Sequence, residues 1–122
     1  MLFSKFFKAF YYAGRGIVAS LSERNVRFHV GATALVLLAG LKLGLSQPEW
    51  YIVLLLIGSV ISAELVNTAI EDLANHVRDD LKIGYSATAR TRDVAAGAVL
   101  ILAIVAAVIG SMIFVPKLLK LF

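Results

Sequence analysis

Glu64, Asn67, Glu71 and Asn75 recur at spacings of three, four and four. On a helix of about 3.6 residues per turn, these side chains form one polar stripe. The run before them, Trp50 to Ala63, carries no charge and is apolar apart from Gly58, Ser59 and Ser62. If the helix continues, Glu64 sits inside the hydrocarbon or at its edge. A carboxylate at that depth is costly and marks a functional site. Two shallower carboxylates with bases nearby suit a divalent cation carrying nucleotide phosphates, because magnesium commonly takes one or two protein carboxylates plus phosphate oxygens. A deeper, less solvated carboxylate suits acceptance of a proton from an alcohol embedded in the lipid. Phosphoryl transfer asks mainly for positioning and charge neutralisation. Spacing alone leaves a second reading open, since an intramembrane Glu beside an Asn serves equally in a proton-coupled carrier or a rotor subunit. No P-loop and no protein-kinase Gly-rich loop occurs.

The rest of the chain must frame this stripe. Of 122 residues, 60% are hydrophobic, and the mean hydropathy is +0.86. A soluble core of this size cannot absorb so much apolar surface, so an all-α integral membrane protein is expected, as one domain over residues 1–122. The net charge is +4, with the basic residues grouped outside the apolar runs. In so apolar a chain this points to anionic membrane lipid or phosphate and away from nucleic acid. There is no cysteine, so thiolate chemistry has no support. Residues 1–20 mix charges into their apolar pattern and lack a small-residue cleavage site, so a removed signal peptide is not expected.

Taken in order, residues 3–21 place Phe3, Phe6, Phe7, Phe10, Ala13, Ile17 and Leu21 mostly three or four apart, with Lys5, Lys8, Tyr12 and Arg15 between them. This reads as an amphipathic helix in the membrane interface, weakened locally by Gly14 and Gly16. Ser22 can cap the following helix, and Glu23 can pair with Arg27 four residues on. His29, at the start of an apolar helix, reads as an interfacial residue. Three spans are expected at about 28–45, 50–77 and 94–115. Ser46 to Glu49 forms the turn between the first two, and Trp50 and Tyr51 mark the interface. Arg78 to Arg92 reads as a loop or short helix, and Pro116 as the end of the third span.

Counting Lys and Arg orients the chain. Five precede the first span, one follows it, four lie between spans two and three, and two lie in the tail. Nine of twelve therefore fall on one side, which should be cytoplasmic. The N terminus is expected inside and the C terminus outside. Glu23, Glu64 and Glu71 then lie near one leaflet, below the basic loops.

At this point the residues match a known pattern. Glu64-Leu-Val-Asn-Thr-Ala-Ile-Glu71 resembles the signature of the small bacterial integral-membrane lipid kinases, the prokaryotic diacylglycerol kinase and undecaprenol kinase family. Glu23-Arg-Asn-Val-Arg-Phe-His29 resembles the segment before that family's first span, and Arg92-Asp-Val-Ala-Ala-Gly-Ala-Val-Leu100 the segment opening its third. The resemblance covers nearly the whole chain. It implies a homotrimer in the bacterial inner membrane, with active sites shared between subunits, that moves the γ-phosphate of ATP with Mg2+ to a lipid hydroxyl. It implies Glu64 as general base, Asn67 as orienting residue, and Glu23 and Glu71 as metal ligands. It also implies that Tyr12 and Lys5 meet a nucleotide or lipid phosphate, and that Arg92 and Asp93 contact the nucleotide.

The chain departs from that pattern in places. Arg92 stands where Lys is usual, and Asn75 where Asp is common. Arg keeps the charge but changes the donor geometry. The stretch from Glu71 to Asp93 is longer than usual, and that between Gly16 and Glu23 about one residue short. Arg27-Phe-His29 and Phe114-Val-Pro-Lys117 lean toward the undecaprenol branch. Two competing readings stand beside the kinase: a proton- or cation-coupled transporter built on Glu64, and a catalytically weak relative acting as a scaffold. Residue by residue, Glu71 can be an ordinary interfacial acid, Glu23 a partner of Arg27, and Arg92 a positive-inside anchor.

Overall fold

The computed structural model describes residues 1–122 as four α-helices and one short 3-10 turn: α1 (Leu2–Ser20), α2 (Arg24–Leu43), α3 (Gln47–Asp79), the turn Tyr85–Ala87, and α4 (Ala89–Leu119). There is no strand. Helices α2, α3 and α4 are each long and apolar enough to cross a membrane. The 33 residues of α3 extend about 50 Å at 1.5 Å per residue, against a hydrocarbon core of roughly 30 Å. One end of α3 therefore stands clear of the lipid.

Helix α3 is the centre of the bundle. It packs most extensively on α4 and next on α2, whereas α2 and α4 touch little. Only 11 of 122 residues are buried, so three helices alone leave most of their apolar side chains facing outward. Lipid or neighbouring subunits must cover them. In α1 every residue but Ser20 is exposed.

Local chemistry explains the joints. Gly44 ends α2 in the left-handed region (φ +73°), where a residue without Cβ is unstrained. Ser46 then opens α3 with a capping box: its amide donates to Glu49 Oε2 at 2.9 Å, and its hydroxyl accepts from the Glu49 amide at 3.4 Å. The hairpin closes tightly. A Cβ on Gly40 would stand 2.8 Å from the Trp50 ring and 3.0 Å from Leu45. At the same end, Lys117 Nζ lies 3.1 Å from Glu49 Oε2, tying the last turn of α4 to the first turn of α3.

Several sequence expectations change here. Pro116 does not end the third span, because α4 runs through it to Leu119. Proline forfeits only one helical bond so near the terminus, and Lys117 anchors the turn that follows. Ser22 does not cap α2. Its hydroxyl donates to the Ala19 carbonyl at the end of α1, and Glu23 takes the cap position without a side-chain bond. Arg27 does not pair with Glu23; its Nη1 donates to the Leu21 and Ser22 carbonyls at 3.1 and 2.7 Å. It thereby satisfies groups that the end of α1 leaves open. Gly14 and Gly16 leave α1 unbroken. The turn Ser46–Glu49 is already helical from Gln47, and α4 starts at Ala89, well before residue 94.

Candidate active site

The polar stripe lies on the inner face of α3. Glu64 is 4% exposed and Asn67 3%. One and two turns further on, Glu71 and Asn75 are half-buried. Asn67 Nδ2 donates to Glu71 Oε1 at 3.2 Å, which fixes the upper carboxylate with one oxygen still free. Asn67 Oδ1 is buried and has no partner. A buried acceptor in that state is an unmet demand for a donor.

Glu64 faces the bundle. Its Oε2 lies 3.7 Å from His29 Nε2 on α2. Glu71 follows it two turns on along α3, and Glu23 stands at the N-terminus of α2, the helix that brings His29 to it. The three acids named from the sequence thus lie toward the end of the bundle where α2 begins.

Glu23 also lines a cavity of about 270 Å³ together with Ser20, Ser22, Thr68 and Asp72. Asp72 was not among the residues expected from sequence. Being one position beyond Glu71, it falls off the three-four stripe and turns toward α1.

Arg92 is held from several sides. Its Nη1 donates to Asn75 Oδ1 at 2.9 Å, its Nε to Thr88 Oγ1 at 3.3 Å, and its guanidinium lies 4.8 Å from the Tyr85 ring centre. Its Nη2 is buried without a partner. Asp93 is exposed and makes no hydrogen bond or ion pair. Lys5 and Tyr12 are also exposed on α1, and no hydrogen bond or ion pair joins them to the acids of α3. The chain therefore sets Glu64, Asn67 and Glu71 along one face of α3 with Glu23 at the nearby start of α2, places Arg92 beside Asn75, and leaves Lys5, Tyr12 and Asp93 apart.

No group of three or more His, Cys, Asp or Glu side chains is placed to hold a metal ion by itself. The donor set fits a metal that brings its own oxygens. Glu71 has one carboxylate oxygen outside its bond to Asn67, and Glu23 opens onto a cavity. Magnesium needs only one or two such carboxylates when phosphates complete its shell.

Known proteins resemble this chain along most of its length. The family profile described as prokaryotic diacylglycerol kinase matches residues 11–114. The undecaprenol kinase of Bacillus subtilis (strain 168) is 43% identical over 116 residues, covering 94% of this chain and 92% of that protein. The diacylglycerol kinase of Synechocystis sp. is 35% identical over 117 residues, covering 93% of this chain and 64% of that protein. No solved structure gives a significant match.

Proposed function

The chain belongs to the prokaryotic diacylglycerol kinase family, and from that premise we propose that it transfers the γ-phosphate of ATP to the hydroxyl of undecaprenol. It is a lipid kinase and a multi-pass membrane protein. The transporter reading gives way to that membership. Undecaprenol is preferred over diacylglycerol because the undecaprenol kinase relative matches along 92% of its length at 43% identity.

The observation that carries the mechanism is the burial of Glu64 beside His29, below Asn67 and Glu71. In the proposed reaction Glu64 takes the proton of the lipid hydroxyl as that oxygen attacks the γ-phosphorus and ADP leaves. Asn67 holds Glu71 in place and offers Oδ1 to a donor on the reacting groups. Glu23 and Glu71 would hold Mg2+, which when bound neutralises phosphate charge. Arg92 directs its unpaired Nη2 toward the nucleotide. Asp93, Tyr12 and Lys5 serve the nucleotide or lipid phosphates at a site completed by a neighbouring subunit. That assignment goes with a homotrimer, which the outward apolar surface of the single bundle supports. The grouping of Lys and Arg supports a cytoplasmic N terminus, a C terminus outside, and α1 lying as an amphipathic helix in the interface.

The test is labelled ATP with magnesium, offered undecaprenol and diacylglycerol side by side in mixed micelles. Undecaprenyl phosphate should dominate the product. Absence of any labelled lipid would refute the kinase assignment.

A further inference from the structure

Arg92 carries a positive charge that nothing in the chain neutralises. It makes no ion pair. The groups around its guanidinium are all neutral: the Asn75 amide, the Thr88 hydroxyl and the Tyr85 ring. It stands in the first turn of α4, the end at which the helix dipole disfavours a cation. Its Nη2 is buried without a partner. A half-buried guanidinium in that state is costly until an anion meets it.

The short segment between α3 and α4 keeps it there. The chain reverses at Lys82, whose φ of +58° lies in the left-handed region that a side chain disfavours. Across the reversal the Ile83 amide donates to the Val77 carbonyl at 3.2 Å, a six-residue bond of the kind that closes a Schellman motif. Glycine favours such a position, and here a lysine is held in it. Backbone strain of this kind persists only where the surrounding structure fixes it, and it gathers at functional sites. The reversal leads directly into the turn that brings Tyr85 onto Arg92.

Tyr85 bears on Arg92 by two routes. Its ring centre lies 4.8 Å from the guanidinium carbon, within the range where the negative face of a ring attracts a cation. Its carbonyl accepts from the Thr88 hydroxyl at 3.4 Å, and that same hydroxyl accepts from Arg92 Nε at 3.3 Å. With its proton turned to Tyr85, Thr88 is left as an acceptor for Arg92. Thr88 and Asn75 therefore hold Nε and Nη1, the ring takes the flat face, and Nη2 alone stays uncommitted. The Tyr85 side chain is 53% exposed, so burial in a core does not account for its place.

We propose, resting on the kinase reading above, that Tyr85 is a positioning residue for the nucleotide: its ring fixes the plane of the Arg92 guanidinium so that Nη2 is presented to phosphate, and it acts through Arg92.

The full chain is assayed in mixed micelles with labelled ATP, magnesium and undecaprenol, and ATP binding without lipid is read by equilibrium dialysis. Tyr85→Leu should raise KM and Kd for ATP about fivefold, the worth of a partly exposed cation–ring contact, with kcat and the lipid KM within about twofold of the parent. Tyr85→Phe keeps the ring and should match the parent. Phenylalanine with increasing ring fluorination at residue 85 keeps the shape and drains the ring face, so both constants should climb stepwise. In an Arg92→Ala background these differences should vanish. Parental constants for Tyr85→Leu, an equal rise with Tyr85→Phe, or a flat fluorine series overturns the proposal. Tighter ATP binding by Tyr85→Leu also overturns it and makes the ring a cover over Arg92. An undiminished effect of Tyr85→Leu in the Arg92→Ala background overturns it too, and puts Tyr85 on the nucleotide itself. If Tyr85→Leu does not assemble, the fluorine series decides alone. Where the parent binds ATP but labels no lipid, the kinase reading fails and dialysis still decides the role of Tyr85. Where the parent binds no ATP, both fail.

Discussion

Arg92 Nη1 donates a hydrogen bond to the side-chain carbonyl of Asn75 at 2.9 Å, joining α4 to α3 across 17 positions of sequence. The two residues are far apart in sequence, and the fold makes them partners. A neutral amide accepts from a guanidinium whose other nitrogens reach Thr88 and remain free for a ligand. A Lys at residue 92 would offer a single nitrogen and could not hold that arrangement.

The pair should therefore act as a unit. Asn75→Ala and Arg92→Ala are each expected to raise the apparent KM for ATP. The double variant should be no worse than Arg92→Ala alone, with a coupling of about 1.5 kcal/mol, typical of a hydrogen bond to a charged group. A double-mutant cycle on KM measures this, and strictly additive effects would separate the two residues.

Glu64→Gln keeps the shape of the side chain and removes its ability to take a proton. Phosphate transfer should fall by a factor of about 100 or more, the usual worth of a general base. Helix content by circular dichroism and nucleotide binding should remain. Transfer at the parental rate would remove Glu64 from the chemistry.

Glu71→Ala should move the magnesium titration of activity to higher concentration by about tenfold or more, since even residues behind a metal ligand commonly matter that much. Asn67→Ala is the control. It removes the bond that orients Glu71 but no carboxylate, so it should lower the rate more than it shifts the magnesium requirement. Coincident magnesium curves for Glu71→Ala and the parent would take the metal away from Glu71.

Gly40→Ala tests the hairpin. The added methyl would meet the Trp50 ring and Leu45, a small overpacking expected to cost about 1 kcal/mol. Thermal unfolding in detergent reads it as a lower Tm. An unchanged Tm would mean that Trp50 swings aside freely.

Periodicity made the scaffold legible. Three apolar helices, the polar stripe on α3 and the helical overhang beyond the lipid all follow from the spacing of residues along single helices. What spacing cannot supply is the register between helices. His29 read as an interfacial residue because it stands at the start of an apolar helix. Its partner, Glu64, lies 35 positions away and meets it only when α2 packs on α3. Arg27 looked like the partner of Glu23 on the i,i+4 rule, yet open carbonyls at the end of α1 took the guanidinium instead. Pro116 read as a stop because sequence does not reveal that Lys117 reaches across to Glu49.

Helix α3 is continuous from Gln47 to Asp79 and contains neither a proline after its first turn nor any break. Glu64 and Glu71 are therefore marks on a stiff rod, seven residues or about 10 Å apart along its axis. Nothing in that rod can fold to bring them closer. Under the roles proposed for Glu64 and Glu71, the phosphate chain of a nucleotide would bridge the interval by its own reach, and the travelling parts of such a catalyst would be its substrates.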